Sequence, residues 1–282
     1  MIHEHEIPNG SCLYFGNSAK AKRELENKLA TYLQNQGFDE IVTPNFSYTQ
    51  HQSIDNENEL IKINDENNNQ VSLRADSTLD VARIITKRLG RTTNHKKWFY
   101  IQPVFTYPSS ENYQIGLEWL EHTNASEVIN LSASVFNQIN IKPLIQITNI
   151  QIAKLIAVEL DISIDLFKDG LISKLFELKI DWLDKLIYAS SAKDLQGIIN
   201  ILPTKVQIEV QKLIDIAKDI SYENITISAL YYAKMKYYED VYFRIIQNNN
   251  VLARGGRYTS DGISSLGFAL YTKEILEIKE GK

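Results

Sequence analysis

A single cysteine, Cys12, occurs among 282 residues, so the chain can build neither an intrachain disulfide nor a thiolate metal cluster. That usage suits a reducing compartment, and the residue reads as a small hydrophobe near an N-terminal strand. No block of Lys and Arg is present, and the formal net charge is -5 with a pI near 5.6, which leaves no electrostatic footprint for a phosphate backbone. Nucleic acid is therefore not an expected partner. Uncharged stretches stay well short of the roughly 20 residues that span a bilayer, and the acidic opening MIHEHEIPNG is unlike a signal peptide. These absences predict a cytoplasmic protein with no membrane partner. The triplet Asn124-Ala-Ser126 then carries no glycosylation meaning, because that reading needs a secretory route. Internal repeats of fixed period are lacking too, and no cofactor or metal site is suggested by the residues.

What is present is 44% apolar residues, enough for one sizeable α/β core with a helical satellite. Leu25, Leu29, Tyr32 and Leu33 recur at helical spacing behind a capping Ser18, and Gly37 follows as a left-handed stop. A hairpin is expected from 60–63 and 71–73 around the Asn-rich turn 64–70, and a helix capped by Ser77 or Thr78 ends at Gly90. Aromatic and β-branched residues then predict strands over 97–107 and 113–120, joined by the short connection 108–112. Alternation along the second of these places Gln114, Gly116 and Glu118 on one face. A helix over 126–138 and a strand over 144–150 follow. Between 151 and 222 the texture is helical throughout, and this reads as an insertion within a single domain over 1–282. Strands resume over 225–231, 237–247 and 251–254, and a helix begins at Thr272.

Five segments carry chemistry: LRADST at 73–78, YIQPVFTY at 100–107, YQIGLE at 113–118, YYEDVYF at 237–243, and ARGGRY at 253–258 with LGFAL at 266–270. In this order and spacing they resemble the catalytic domain of histidyl-tRNA synthetase, and the resemblance spans nearly the whole chain. GFDEIVTP at 37–44 is similar to the dimer-forming first motif of that family. The fold so implied is α+β: a class II aminoacyl-tRNA synthetase-like antiparallel sheet flanked by helices, with the helical insertion at 151–222.

The same resemblance implies a histidine-binding set of Asp76, Gln114, Glu118, Tyr237 and Tyr238. A carboxylate at Asp76 can pair with the α-ammonium, which Gln114 can share. Glu118 can accept a proton from the imidazole and so fix its tautomer, and the two tyrosines can wall the ring. Each has a plainer reading as well. Asp76 next to Ser77 and Thr78 suits a helix N-terminus, paired tyrosines are common in strands, and Glu118 needs no explanation if it faces outward.

The family's phosphate-gripping arginines have no counterparts here: their positions hold Thr106, Ala233 and Glu274, and the loop that reaches over the nucleotide is cut to 108–112. Losing each charge-assisted contact costs on the order of 1.5–3 kcal/mol of binding, and Ala233 also removes the counter-ion of the ligand carboxylate. The sequence ends soon after the last motif, without an anticodon-binding domain. In these respects the chain is similar to the family's paralogues that serve as regulatory subunits of short-form ATP phosphoribosyltransferase. That similarity implies a protein without catalytic activity of its own, self-dimerising, partnered with the catalytic subunit and sensing histidine as effector, with no catalytic residues. Two alternatives stay open: a minimal class II ligase that adenylates an amino acid for a non-tRNA acceptor, and a scaffold with a vestigial pocket. Arg254 and Arg257 fit either a phosphate or a carboxylate on the neighbouring strand.

Overall fold

The computed structural model of the protein describes residues 6–52, 56–233 and 237–281. In chain order its longer elements are α1 (Gly16–Asn35), β1 (Asp39–Glu40), β2 (Phe46–Tyr48), β3 (Lys62–Asn64), β4 (Gln70–Leu73), α2 (Thr78–Lys87), β5 (Lys97–Thr106), β6 (Ser110–Leu120), α3 (Ala125–Gln138), β7 (Leu144–Asn149) and α4 (Ile150–Glu159). They continue with α5 (Asp165–Lys168), α6 (Ile172–Phe176), α7 (Asp181–Tyr188), α8 (Ala192–Ile198), α9 (Thr204–Lys218), β8 (Ile225–Ile227), β9 (Tyr238–Gln247), β10 (Asn250–Ser260), β11 (Ile263–Tyr271) and α10 (Thr272–Lys279). The chain forms two compact units, one of residues 1–122 with 260–282 and one of residues 123–259. The fold class is the expected α+β, with antiparallel strands flanked by helices.

In the first unit the strand order is β1-β5-β6-β11, and a smaller sheet has the order β2-β4-β3. β5 and β6 form a long antiparallel hairpin in which Trp98 stands opposite Glu118 and Gln102 opposite Gln114. The apolar stripe of α1 is buried through Leu25, Leu29 and Leu33. Ser18 does not sit at the N-cap; that position is Phe15, and the Ser18 hydroxyl closes the first turn by accepting from the Phe15 N–H at 3.0 Å. Gly37, at φ +82°, ends the helix in the left-handed conformation that glycine tolerates best.

Within this unit Arg74 is 0% exposed, and its guanidinium donates to backbone and side-chain oxygens of a neighbouring run. The recipients are Thr43 O (3.2 Å), Thr43 Oγ1 (3.0 Å), Pro44 O (2.8 Å), Asn45 Oδ1 (3.2 Å) and Pro103 O (2.6 Å from Nη2). Burial pushes its pKa down while Asp80 pulls it back up.

In the second unit the order is β10-β9-β7-β8, with β7 and β8 parallel. Asn124 caps α3 by accepting from the N–H groups of Ser126 and Glu127, so the residue of the glycosylation-like triplet has a local structural use. Asn149 caps α4 in the same way through Gln151 N. From 150 to 218 the longer elements are helices, and α9 buries Val206, Val210, Leu213 and Ile214 on one stripe against α4 and β7. No helix among the described residues is long and apolar enough to cross a membrane.

Replacing Arg74 with Ala strands several buried carbonyls at once. Urea unfolding of the Arg74→Ala variant should show a loss of about 3 kcal/mol or more. Arg74→Lys should recover little of it, because one ammonium cannot span the same acceptors.

Candidate functional site

Asp76 lies between β4 and α2 in the first unit, where its Oδ1 accepts from Leu79 N at 3.3 Å. The plainer reading of this residue therefore holds in part: its carboxylate caps α2. Ser77, at the N-cap position, makes no capping bond; its hydroxyl instead accepts from Gln102 Nε2 at 3.1 Å. Gln102 Oε1 in turn accepts from the N–H and hydroxyl of Thr43 at 3.2 and 3.1 Å. Asp76 is thus carried on a segment held on one side by Arg74 and on the other by the Gln102 amide.

Gln114 and Glu118 point to the same face of β6, as alternation requires. Glu118 is 0% exposed, which removes the outward-facing alternative, and the Tyr100 hydroxyl donates to its Oε1 at 3.4 Å. Two glycines make room for this pair. A methyl group at Gly116 would lie 2.0 Å from Tyr100 Cζ, and one at Gly267 would lie 2.0 Å from Glu118 Oε2 and 2.5 Å from the Leu117 carbonyl oxygen. Tyr100 and Gln102 were not singled out from the sequence, and Ser77 only as a helix cap. The signal was there in the glycines of YQIGLE and LGFAL, which mark a close approach of bulky groups within a strand.

Tyr237 and Tyr238 belong to the second unit. Their rings are 4.6 Å apart, Tyr237 meets Tyr258 edge-on at 6.2 Å, and Tyr238 meets Tyr242 at 5.0 Å. Ala233 is 3% exposed and packs in one cluster with Ile150, Tyr238 and Tyr242. Residues 234–236, just ahead of the tyrosine pair, lie outside the described residues. Arg257 resolves in favour of the strand-partner reading, since its Nε bonds Asp240 Oδ1 on β9 at 3.1 Å.

The positions that the resemblance assigns to phosphate contacts are differently furnished. Thr106 ends β5 opposite Ser110, and Glu274 opens α10. The short turn after Thr106 is covered by the chain's own start: Ser11 Oγ donates to Ser109 O at 3.3 Å, Glu111 N to Gly10 O at 3.1 Å, and Cys12 N to Glu111 Oε1 at 2.6 Å. Close by, burial pushes the Tyr14 hydroxyl pKa well above its ordinary value, with Cys12 and then Glu274 adding to the effect. Among the described residues no group of three His, Cys, Asp or Glu is arranged to hold a metal ion.

A family model described as histidyl-tRNA synthetase matches residues 15–275. Two curated relatives named ATP phosphoribosyltransferase regulatory subunit, from Wolinella succinogenes and Helicobacter hepaticus, are each 40% identical over 277 residues, or 98% of this chain. The match covers 96% and 99% of those relatives. The fold is shared with a solved Bacillus halodurans protein named ATP phosphoribosyltransferase regulatory subunit/histidyl-tRNA synthetase, at TM-score 0.84 and 18% identity, over 98% of this chain and 83% of that one. It is shared also with a histidine-tRNA ligase subunit from Alicyclobacillus acidocaldarius, at TM-score 0.80 and 17% identity, over 100% and 99% of the two chains.

Packing at these positions sets the outcome of three substitutions. Gly267→Ala must displace Glu118 or the strand backbone and should lose about 1–3 kcal/mol in urea unfolding. Gly197→Ala, in α8 with open space around it, should instead gain about 0.5–1 kcal/mol. Ala233→Arg places a charge inside an aromatic cluster and should lose about 3 kcal/mol.

Proposed function

Because this chain belongs to the ATP phosphoribosyltransferase regulatory subunits of the histidyl-tRNA synthetase family, we propose that it binds the short-form catalytic subunit of that enzyme and raises its activity. In this reading it has no catalysis of its own, dimerises through its synthetase-like core, and senses histidine as the end product of the pathway whose first step it controls. The observation that carries the reading is a contrast within the chain. Glu118 is retained fully buried in the sheet with Tyr100 as a donor, whereas Thr106, Ala233 and Glu274 leave a transferring phosphate without an arginine.

Histidine binding would use Asp76 and Gln114 for the α-ammonium, Glu118 for the imidazole, and Tyr237 and Tyr238 as walls. Asp76 can serve in this way while capping α2, since a carboxylate accepts through two oxygens. Absence of an arginine at Ala233 leaves the ligand carboxylate to weaker donors, so affinity is modest. By linkage, histidine alters the partner's activity only if it binds the active and inhibited assemblies with different affinity, a coupling typically of about 1–3 kcal/mol.

Mixing the purified chain with a short-form catalytic subunit should give a stable complex on size exclusion and a rate above that of the catalytic subunit alone. No complex, or an unchanged rate, would sink the proposal. Histidine sensing is tested separately on the chain by thermal unfolding. At 100-fold excess over its dissociation constant histidine should stabilise by about 2.7 kcal/mol, and Glu118→Gln should abolish the response. Amino-acid-dependent exchange of pyrophosphate into ATP should be undetectable; its appearance would favour a ligase instead.

A further inference from the structure

Helix α2 is capped in a way that α3 and α4 are not. Those two begin at Asn124 and Asn149, each with extended backbone and a side chain that accepts from first-turn N–H groups. At the same place in α2, Ser77 has helical backbone (φ -93°, ψ -31°) and makes no capping bond, although serine is among the residues that favour this position. Its hydroxyl accepts from Gln102 Nε2 at 3.1 Å, and Asp76 Oδ1 takes over the cap on Leu79 N at 3.3 Å. The orientation of the Asp76 carboxylate thus follows from where Ser77 is held.

Gln102 holds it there. The Oε1 of its amide accepts from Thr43 N and Thr43 Oγ1 at 3.2 and 3.1 Å, which leaves Nε2 as the end that turns to Ser77. Gln102 is 4% exposed and Ser77 is fully buried, so water is a poor substitute for either partner. Strand register sets the same residue beside the rest of the pocket. Gln102 on β5 stands opposite Gln114 on β6, and directly opposed residues share a face of the sheet with Cβ atoms about 4.5–5.5 Å apart. Gln102 therefore adjoins both groups assigned to the α-ammonium, Asp76 through Ser77 and Gln114 across the strands. With both ends of its amide engaged by protein, it acts on the ligand through Asp76.

We propose that Gln102 is a positioning residue for ligand selection: by keeping the Ser77 hydroxyl away from the helix end it leaves the cap to Asp76, which holds that carboxylate in one orientation for an α-ammonium. The proposal rests on the histidine reading above and adds to it a residue that acts at one remove from the ligand. Without the Gln102 amide, Ser77 is released to compete for the first-turn N–H groups, and Asp76 loses its fixed place.

Isothermal titration of the full chain compares histidine with imidazolelactate, which carries a hydroxyl in place of the α-ammonium. The wild-type chain should bind histidine more tightly. Gln102→Leu should weaken histidine about tenfold or more and leave imidazolelactate within about twofold, because only the former meets Asp76 as a cation. Gln102→Asn, too short to reach from Thr43 to Ser77, should do the same, and it supplies a second reading if Gln102→Leu does not fold. Adding Ser77→Ala to either variant removes the competitor and should restore most of the histidine affinity, which mere loosening of the fold would not allow. Equal weakening of both ligands, an unchanged preference in a folded Gln102 variant, or no recovery with Ser77→Ala would overturn the role of Gln102 alone. A wild-type chain that does not bind histidine in preference to imidazolelactate would instead overturn the histidine reading, and this role with it.

Discussion

The guanidinium of Arg74 is fully buried, and its hydrogen bonds run to carbonyl, hydroxyl and amide oxygens of residues 43–45 and 103. A charge in that position is tolerable only while its donors are occupied, so the residues around it are fixed relative to one another. β4 cannot slide along β5, because Arg74 N donates to Asn45 O while Phe105 N donates to Arg74 O. The consequence reaches the proposed ligand site two residues later. Asp76 leaves this anchored strand and begins α2, so its carboxylate is placed by a structural constraint that operates with or without a ligand.

Glu118 follows the same logic from the other side of the hairpin. A wholly buried carboxylate costs several kcal/mol without partners, and the fold accommodates it with Tyr100 above one oxygen and Gly267 leaving space beside the other. Each such group is expensive to keep as mere packing, since an apolar residue of like shape would do as well or better. A buried Glu118 is therefore informative in a chain proposed to lack the family's phosphate-contacting arginines. The arginines would act only on a bound substrate, whereas Glu118 is also part of how β6 and β11 fit together.

Much of this was legible in the sequence because it rests on period and punctuation. The four-residue step from Gln114 to Glu118 defined a shared face, the hairpin at 60–73 was marked by its Asn-rich turn, and Arg257 found a carboxylate on the adjoining strand. Local hydrogen bonding was harder to read. Ser18 sits inside its helix as the third residue of the first turn, and the Ser77 hydroxyl accepts from the Gln102 amide while Asp76 supplies the capping bond. Either choice satisfies the same end of a helix, and only the neighbouring strand decides between them. β10 extends over 250–260, well beyond the 251–254 expected, and Gly256 within it is required by close packing. At Gly256 a side chain would meet the Val241 carbonyl oxygen at 2.5 Å.

Ala233 joins the packing of the fold to the proposed loss of phosphate chemistry. In a synthetase an arginine at the corresponding position would need a bound ligand or solvent to hold its charge, and in this chain the small side chain has been taken into an aromatic cluster with Ile150, Tyr238 and Tyr242. Once that cluster closes, restoring the cation is opposed by desolvation as well as by packing. Tyr238 belongs both to this cluster and to the proposed histidine-binding set, so the packing that opposes an arginine also fixes its ring.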